Sequence, residues 1–275
     1  MFDASVIIPA FGRPELLTQV LERIDRQTAA AYEIIVVSDG CGQATRAVQA
    51  MEFQHRCRLY DTGYSEGFGA LLARNAGARF ADGELLVFLD ADCLAGPGHV
   101  AAYLGASDSQ SLLLGPIEYV DPQDWSRTIE PEARPPLRRA PLVPANTAQL
   151  SWLAAHCWTG NLAVPRRAFC ELGGFDLRFL GAGGEDVDFG LRFACHWRRL
   201  KVVDAPVQHV GLTSSLKSGE KAFDTTLIDN LMHQRHYRPG AAELVVNGGV
   251  SHFEHQARWQ EYRDLRERPA AKLVH

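Results

Sequence analysis

Nowhere in the 275 residues does an apolar run approach the roughly 18 residues that a transmembrane helix needs, so no integral membrane segment is expected. The start of the chain also lacks a basic region and a cleavage site. Met1-Phe2-Asp3-Ala4 leads straight into an apolar strand, and a cytoplasmic protein is expected. Basic residues are not in excess: 28 Lys and Arg stand against 33 Asp and Glu, for a net charge of −5. That balance argues against a nucleic-acid partner but leaves a nucleotide ligand open, which needs only a few local cations. The six cysteines (Cys41, Cys57, Cys93, Cys157, Cys170 and Cys195) form no C-x-x-C and no ligand-like spacing with histidine. Free, partly buried thiols are expected rather than a zinc site. No G-x-G-x-x-G opens the first helix, which disfavours a dinucleotide oxidoreductase. No internal repeat is visible.

What is present is an ordinary globular composition, 46% hydrophobic, long enough for one α/β domain with or without an appended subdomain. The first hundred residues alternate short apolar runs with helical patterns. Ala4–Pro9, Glu33–Ser38, Arg58–Tyr60 and Glu84–Leu89 read as strands. Pro14 suits the first position of a helix with Leu17, Val20, Leu21 and Ile24 as its stripe, and Ala70–Phe80 reads as another helix. Repeated βα units imply a largely parallel sheet covered on both faces. Ligands of such sheets sit at the carboxyl ends of the strands, where Asp39, Asp90 and Asp92 fall. The proline-interrupted stretch from Asp121 to Ala145 reads as an irregular excursion. Beyond it come a strand at Asn161–Val164, a helix from Arg166, and a helix from Glu185 to Trp197. Short edge strands follow at Lys201–Val203 and Val207–Val210, then helices near Thr225–His236 and Phe253–Arg266.

Three constellations could carry chemistry. Asp90-Ala91-Asp92 follows an apolar strand directly, and two carboxylates there either cap a turn or converge on a hard cation such as Mg²⁺ or Mn²⁺. Gly183-Gly184-Glu185-Asp186-Val187-Asp188 enters a helix. Acids in a first turn are favoured by the macrodipole alone, yet the same dipole suits a base that must be ionised at neutral pH. His209 follows the apolar Val207 and is flanked by Val210, and a lone histidine is more often structural than metal-ligating.

The order SVIIPAFGRPELL, EIIVVSDG, ARNAGARFADGELLVFLDAD resembles family 2 glycosyltransferases. The later block WTGNLAVPRRAFCELGGFDLRFLGAGGEDVDFGLR is similar to the acceptor-side motif of chondroitin-polymerase-type enzymes, β-1,4-galactosyltransferases and polypeptide N-acetylgalactosaminyltransferases. The resemblance runs over roughly residues 4 to 210. It implies a GT-A fold: a Rossmann-like, mostly parallel central sheet flanked by helices, with an acceptor-side region C-terminal to it. One domain over 1–275 is then expected, with a nucleotide-sugar half at 1–118, an acceptor half at 119–210, and a loop and helices at 211–275.

The resemblance also implies roles. Pro9, Ala10, Phe11 and Arg13 form the lip of the nucleotide pocket, Asp39 contacts the base, and Gly69 and Arg74 lie beside the nucleotide. Asp90, with Ala91, stands nearer the ribose. Asp92 and His209 hold Mn²⁺ or Mg²⁺. Trp158, Gly160, Asn161 and Gly184 border the sugar, Asp186 is the base, and Glu185 binds a hydroxyl. Cys93 stands where family members often carry another acid. The implied reaction is hexosyl transfer from a nucleotide diphosphate sugar, UDP-linked by analogy, to a saccharide, lipid, protein or small-metabolite acceptor. A single displacement with inversion is expected. Nucleotidyl transfer and an inactive nucleotide-sugar-binding protein are the alternatives. Gly211 to Glu220 reads as a lid, with Lys217 as a phosphate contact.

Overall fold

The computed structural model describes residues 3–29, 31–64, 69–128, 143–145, 147–180, 184–197 and 199–211. Four parallel strands set its frame: β1 (Ala4–Ala10), β2 (Tyr32–Ser38), β3 (Cys57–Asp61) and β4 (Leu85–Leu89), in the spatial order β3-β2-β1-β4. β1, β2 and β4 are buried along their whole length, which is why their sequences are mostly apolar without alternation; the buried polar residues Ser5 and Glu33 satisfy each other by a hydrogen bond. Helices α1 (Pro14–Asp25), α2 (Gly42–Gln49) and α3 (Ala70–Phe80) form the crossovers. α1 buries Leu17, Val20, Leu21 and Ile24, the stripe its 3.6-residue period requires.

The rest of the chain departs from simple βα alternation. It runs through β5 (Cys93–Ala95), α4 (His99–Ala106), β6 (Leu112–Leu114), β7 (Ile117–Val120) and α5 (Thr147–Ala154). Then come β8 (Asn161–Pro165), α6 (Arg166–Glu171), a 3-10 turn at Leu177–Phe179, α7 (Glu185–His196), β9 (Leu200–Val202) and β10 (Val207–Val210). The main sheet has seven strands in the order β3-β2-β1-β4-β8-β6-β9, with β8 antiparallel to both neighbours. It is mixed but mostly parallel, with one apolar cluster on each face.

Two consequences position the site. Because β8 is antiparallel to β4, its first residue Asn161 pairs with Leu89 at the end of β4, so the start of one strand arrives at the ligand edge of the other. A second sheet, β5-β10-β7, carries the chain on from Asp92. Here the expectation of an edge strand at Val207–Val210 is corrected: β10 is the centre of this small sheet, between β5 and β7. β9 does lie at the edge of the main sheet. The halves expected on either side of residue 118 share both sheets, since β8 is inserted next to β4 and β10 pairs with β5.

Val120 bridges Thr128 at the start of the proline-rich excursion, and most of that stretch lies outside the described residues. The expected helices near 225–236 and 253–266, Lys217, and all of the 211–220 segment except Gly211 lie outside them too. Among the described residues no helix is long and apolar enough to cross a membrane.

Candidate active site

The carboxyl ends of β1, β2 and β4 open onto a cleft of about 150 Å³ lined by Pro9, Ala10, Phe11, Arg13, Asp39, Ala70, Arg74, Asp90, Ala91 and Asp92. The structure thus brings together nine residues singled out in sequence, and adds Ala70. A larger hollow of about 350 Å³ beside α1 is lined by Gln19, Glu22, Arg23, Arg26, Ala95 and Pro97, away from every strand-end acid. Asp39 is buried, and its Oδ2 accepts from the Gly69 backbone N–H at 3.1 Å. A Cβ on Gly69 would collide with the Asp39 carboxylate and the Tyr64 ring, so only glycine lets the start of α3 close on that acid.

Arg74 projects from α3 into the floor of the cleft. Its Nη2 donates to Asp90 Oδ1 at 2.7 Å and its Nη1 to Glu185 Oε1 at 2.8 Å. One guanidinium therefore ties the end of β4 to the first turn of α7. Gly184, at φ 85°, precedes that turn. Glu185 is buried, and burial raises its carboxyl to about 7; neighbouring Asp186 adds to the rise and Arg74 opposes it. Asp186 is half-buried, and its Oδ1 accepts from the Val187 N–H at 2.8 Å. The third acid of this turn is structural: Asp188 accepts from Arg192 Nε at 2.8 Å, and Arg192 donates on to the Leu172 and Gly174 carbonyls.

Asp92 is reached from two sides. His209 Nε2 lies 3.3 Å from its Oδ1, and Arg13 Nη1 lies 3.2 Å from its Oδ2. β10 makes the first contact possible, since the Val210 N–H donates to the Asp92 carbonyl at 2.9 Å. Burial raises the pKa of Asp92 against the opposing pull of His209, with Asp90 adding to the rise and Arg13 subtracting from it. His209 Nδ1 sits 2.7 Å from the Gly211 carbonyl, which can only accept. Nδ1 therefore carries hydrogen, and in the neutral ring Nε2 presents a lone pair toward the Asp92 carboxylate. Two acceptors facing at that distance need a proton or a cation between them, so the pair fits a divalent ion.

The residues expected at the sugar end divide. A Cβ on Gly160 would come within 3.1 Å of Asp90 Oδ2, so this glycine abuts the cleft acids. Trp158 is half-buried, 5.0 Å from the His156 ring, which stacks on Trp152 at 4.0 Å. Asn161 turns its side chain into the core: Nδ2 donates to the Pro116 and Ala205 carbonyls, and Oδ1 accepts from Tyr103 and meets His99 Nε2 at 2.8 Å. An amide buried in an apolar sheet must satisfy both its ends, and these four contacts do so. Sequence reasoning noted Cys93 only as a departure from the family's acid and did not place it beside the Asp92–His209 pair, and it missed Tyr119, whose ring lies 4.9 Å from that of His209. Only the pairing of distant strands brings them there.

The profile of glycosyl transferase family 2 matches residues 5–173, and that of the N-terminal domain of galactosyltransferase matches residues 143–212. The chain is 35% identical over 219 residues to validoxylamine A glucosyltransferase of Streptomyces hygroscopicus subsp. jinggangensis, covering 70% of this chain and 51% of that protein. It is 26% identical over 229 residues to hyaluronan synthase of Pasteurella multocida, covering 73% of this chain and 24% of that one. It therefore spans about half the length of the first relative and a quarter of the second. Among solved structures, S. aureus TarS 1–349 in complex with UDP-GlcNAc matches with a TM-score of 0.66 at 15% identity, over 85% of this chain and 65% of that one. GalNAc-T7 with UDP, GalNAc and Mn²⁺ matches with a TM-score of 0.61 at 17% identity, over 86% and 50%. At such identities the likeness is one of fold.

Proposed function

The chain belongs to glycosyl transferase family 2 and has the GT-A fold, and on that premise we propose that it moves a sugar from a UDP-linked donor to an acceptor nucleophile, with inversion, using Mn²⁺ or Mg²⁺. The observation that carries the reading is convergence. Asp39, Arg74, Asp90 and Asp92 line one cleft, His209 faces Asp92, and Arg74 fastens the Glu185–Asp186 turn to the same place. Two structures of this fold hold UDP-GlcNAc and UDP, which favours a uridine donor over other nucleotides.

In this reading Asp39 and Arg74 bind the nucleoside end, with Asp90 toward the ribose. Asp92 and His209 hold the cation, which when bound offsets charge on the leaving diphosphate. Asp186 takes the proton from the acceptor nucleophile as it attacks the anomeric carbon. Glu185, whose carboxyl retains its proton up to about neutrality, binds a sugar hydroxyl beside it. Arg74 keeps the two acids of α7 in register with the donor floor, and small errors in such placement cost rate.

A thermal-shift screen of nucleotide sugars, with and without Mn²⁺, tests the reading. A bound donor stabilises the fold by mass action. A UDP-sugar should raise the melting temperature only with the cation present. A shift of equal size in Asp92→Ala, or none with any nucleotide sugar, would overturn it.

A further inference from the structure

Cys93 has no part in the function just described, yet its position is specific. It follows Asp92 directly and opens β5, where it stands opposite His209 in the antiparallel pair with β10. Directly opposed residues project from the same face of a sheet. One ligand atom each from Asp92, Cys93 and His209 lies within 4.8 Å of the other two. Three points so placed share a centre no more than about 2.8 Å from each, against metal bonds of roughly 2.0–2.3 Å. Each ligand therefore has well under about 1 Å to close. The Asp92–His209 side of the triangle is already 3.3 Å, and the Gly211 carbonyl fixes the histidine tautomer that leaves Nε2 as the ligand nitrogen. Carboxylate, thiol and imidazole together make a different donor set from two acids and water.

We propose that Cys93 is the third protein ligand of the Asp92–His209 site, and that its sulfur tilts the site away from Mg²⁺ toward thiophilic ions, Co²⁺ and Zn²⁺, with Mn²⁺ between. The inference rests on the reading that Asp92 and His209 hold a divalent cation. Softness is the physical reason: thiolate selects Zn²⁺-like ions, whereas carboxylate and water suit Mg²⁺. On binding, the S–H bond breaks, its proton leaves to solvent, and the freed sulfur lone pair forms the bond to the ion. No electrons are exchanged and no co-reactant is needed. The sulfur beside an acid and an imidazole is what chemistry distinguishes.

Cobalt reports its own ligands. Co²⁺ titrated into the full chain should give a near-ultraviolet sulfur-to-cobalt charge-transfer band that Cys93→Ser and Cys93→Ala both abolish. Two variants are used because a buried serine hydroxyl can loosen β5, whereas alanine cannot leave an unpaired polar group there. Both should lose Co²⁺ and Zn²⁺ affinity by roughly tenfold or more while Mg²⁺ affinity holds or rises. Cobalt binding that depends on Asp92 but shows no such band would overturn the inference and leave the metal reading standing. A band that survives both substitutions would also overturn it, since it would come from another of the cysteines. If neither Co²⁺ nor Mn²⁺ binds in an Asp92-dependent way, with or without UDP, the underlying metal reading fails and takes this inference with it.

Discussion

Arg74 and Glu185, 111 residues apart in sequence, meet at 2.8 Å with both side chains 4% exposed. Burial raises the Glu185 carboxyl from its ordinary 4.5 to about 7. Between those two values the folded protein holds a proton that the unfolded chain has released. Stability from this group is therefore full below about pH 4.5 and is lost as pH rises toward about 7, a change of a few kcal/mol at most. Glu185→Gln imitates the protonated form and should flatten that slope. Urea midpoints measured across the interval check it. Equal pH slopes in the two proteins would mean that Glu185 is ionised throughout.

Arg13 is the one described non-glycine residue with positive φ, at 45°, and its exposed side chain reaches Asp92. A left-handed non-glycine residue costs about 1–2 kcal/mol, and an exposed ion pair returns about 1 kcal/mol or less. Arg13→Gly should therefore leave stability unchanged or raise it by up to about 1 kcal/mol. The same change should weaken UDP-sugar binding, because it removes a cation from the pocket lip. Denaturation and calorimetry on one sample separate the two effects. A clear loss of stability would show that the ion pair outweighs the strain.

Asn161→Ala should cost about 3 kcal/mol or more. It strips hydrogen-bond partners from the Pro116 and Ala205 carbonyls, the Tyr103 hydroxyl and His99 Nε2 in a buried place. Loss of donor affinity at unchanged melting temperature would contradict this and give Asn161 a role at the cleft.

Asp186→Asn keeps the side-chain shape and removes the proposed base. Transfer should fall by about 10²–10⁴-fold while donor affinity survives. Titration calorimetry beside a transfer assay decides; a variant that no longer binds donor would place Asp186 in the donor pocket instead.

How much of this was legible depended on whether local pattern carried it. α3 begins and ends where the sequence placed it, and β4, whose five apolar residues mark a buried strand, delivers Asp90 to the cleft. Asp39 was readable at the cleft because parallel βα units send their strand ends to one side, whereas Arg74 and the residues after β1 were singled out only through the family resemblance. The rest hinged on pairings between distant segments. Nothing near Val207–Val210 tells that β10 sits between β5 and β7, so neither its central place nor the approach of Cys93 to His209 could be seen. The family resemblance placed Asn161 at the sugar end but could not show its core contacts, because those partners lie on α4 and beside Pro116 and Ala205, far away in sequence.

The pairing of Asp92 with His209 is where nucleotide, cation and fold converge in this account. Calorimetric titration of UDP into the full chain tests it most directly, run with Mn²⁺, with chelator, and with Asp92→Ala in Mn²⁺. UDP should bind the unaltered protein with Mn²⁺ and lose most of its affinity under each of the other two conditions. Equal UDP affinity with Mn²⁺ and with chelator, or an Asp92→Ala protein that binds as the parent does, would contradict the account.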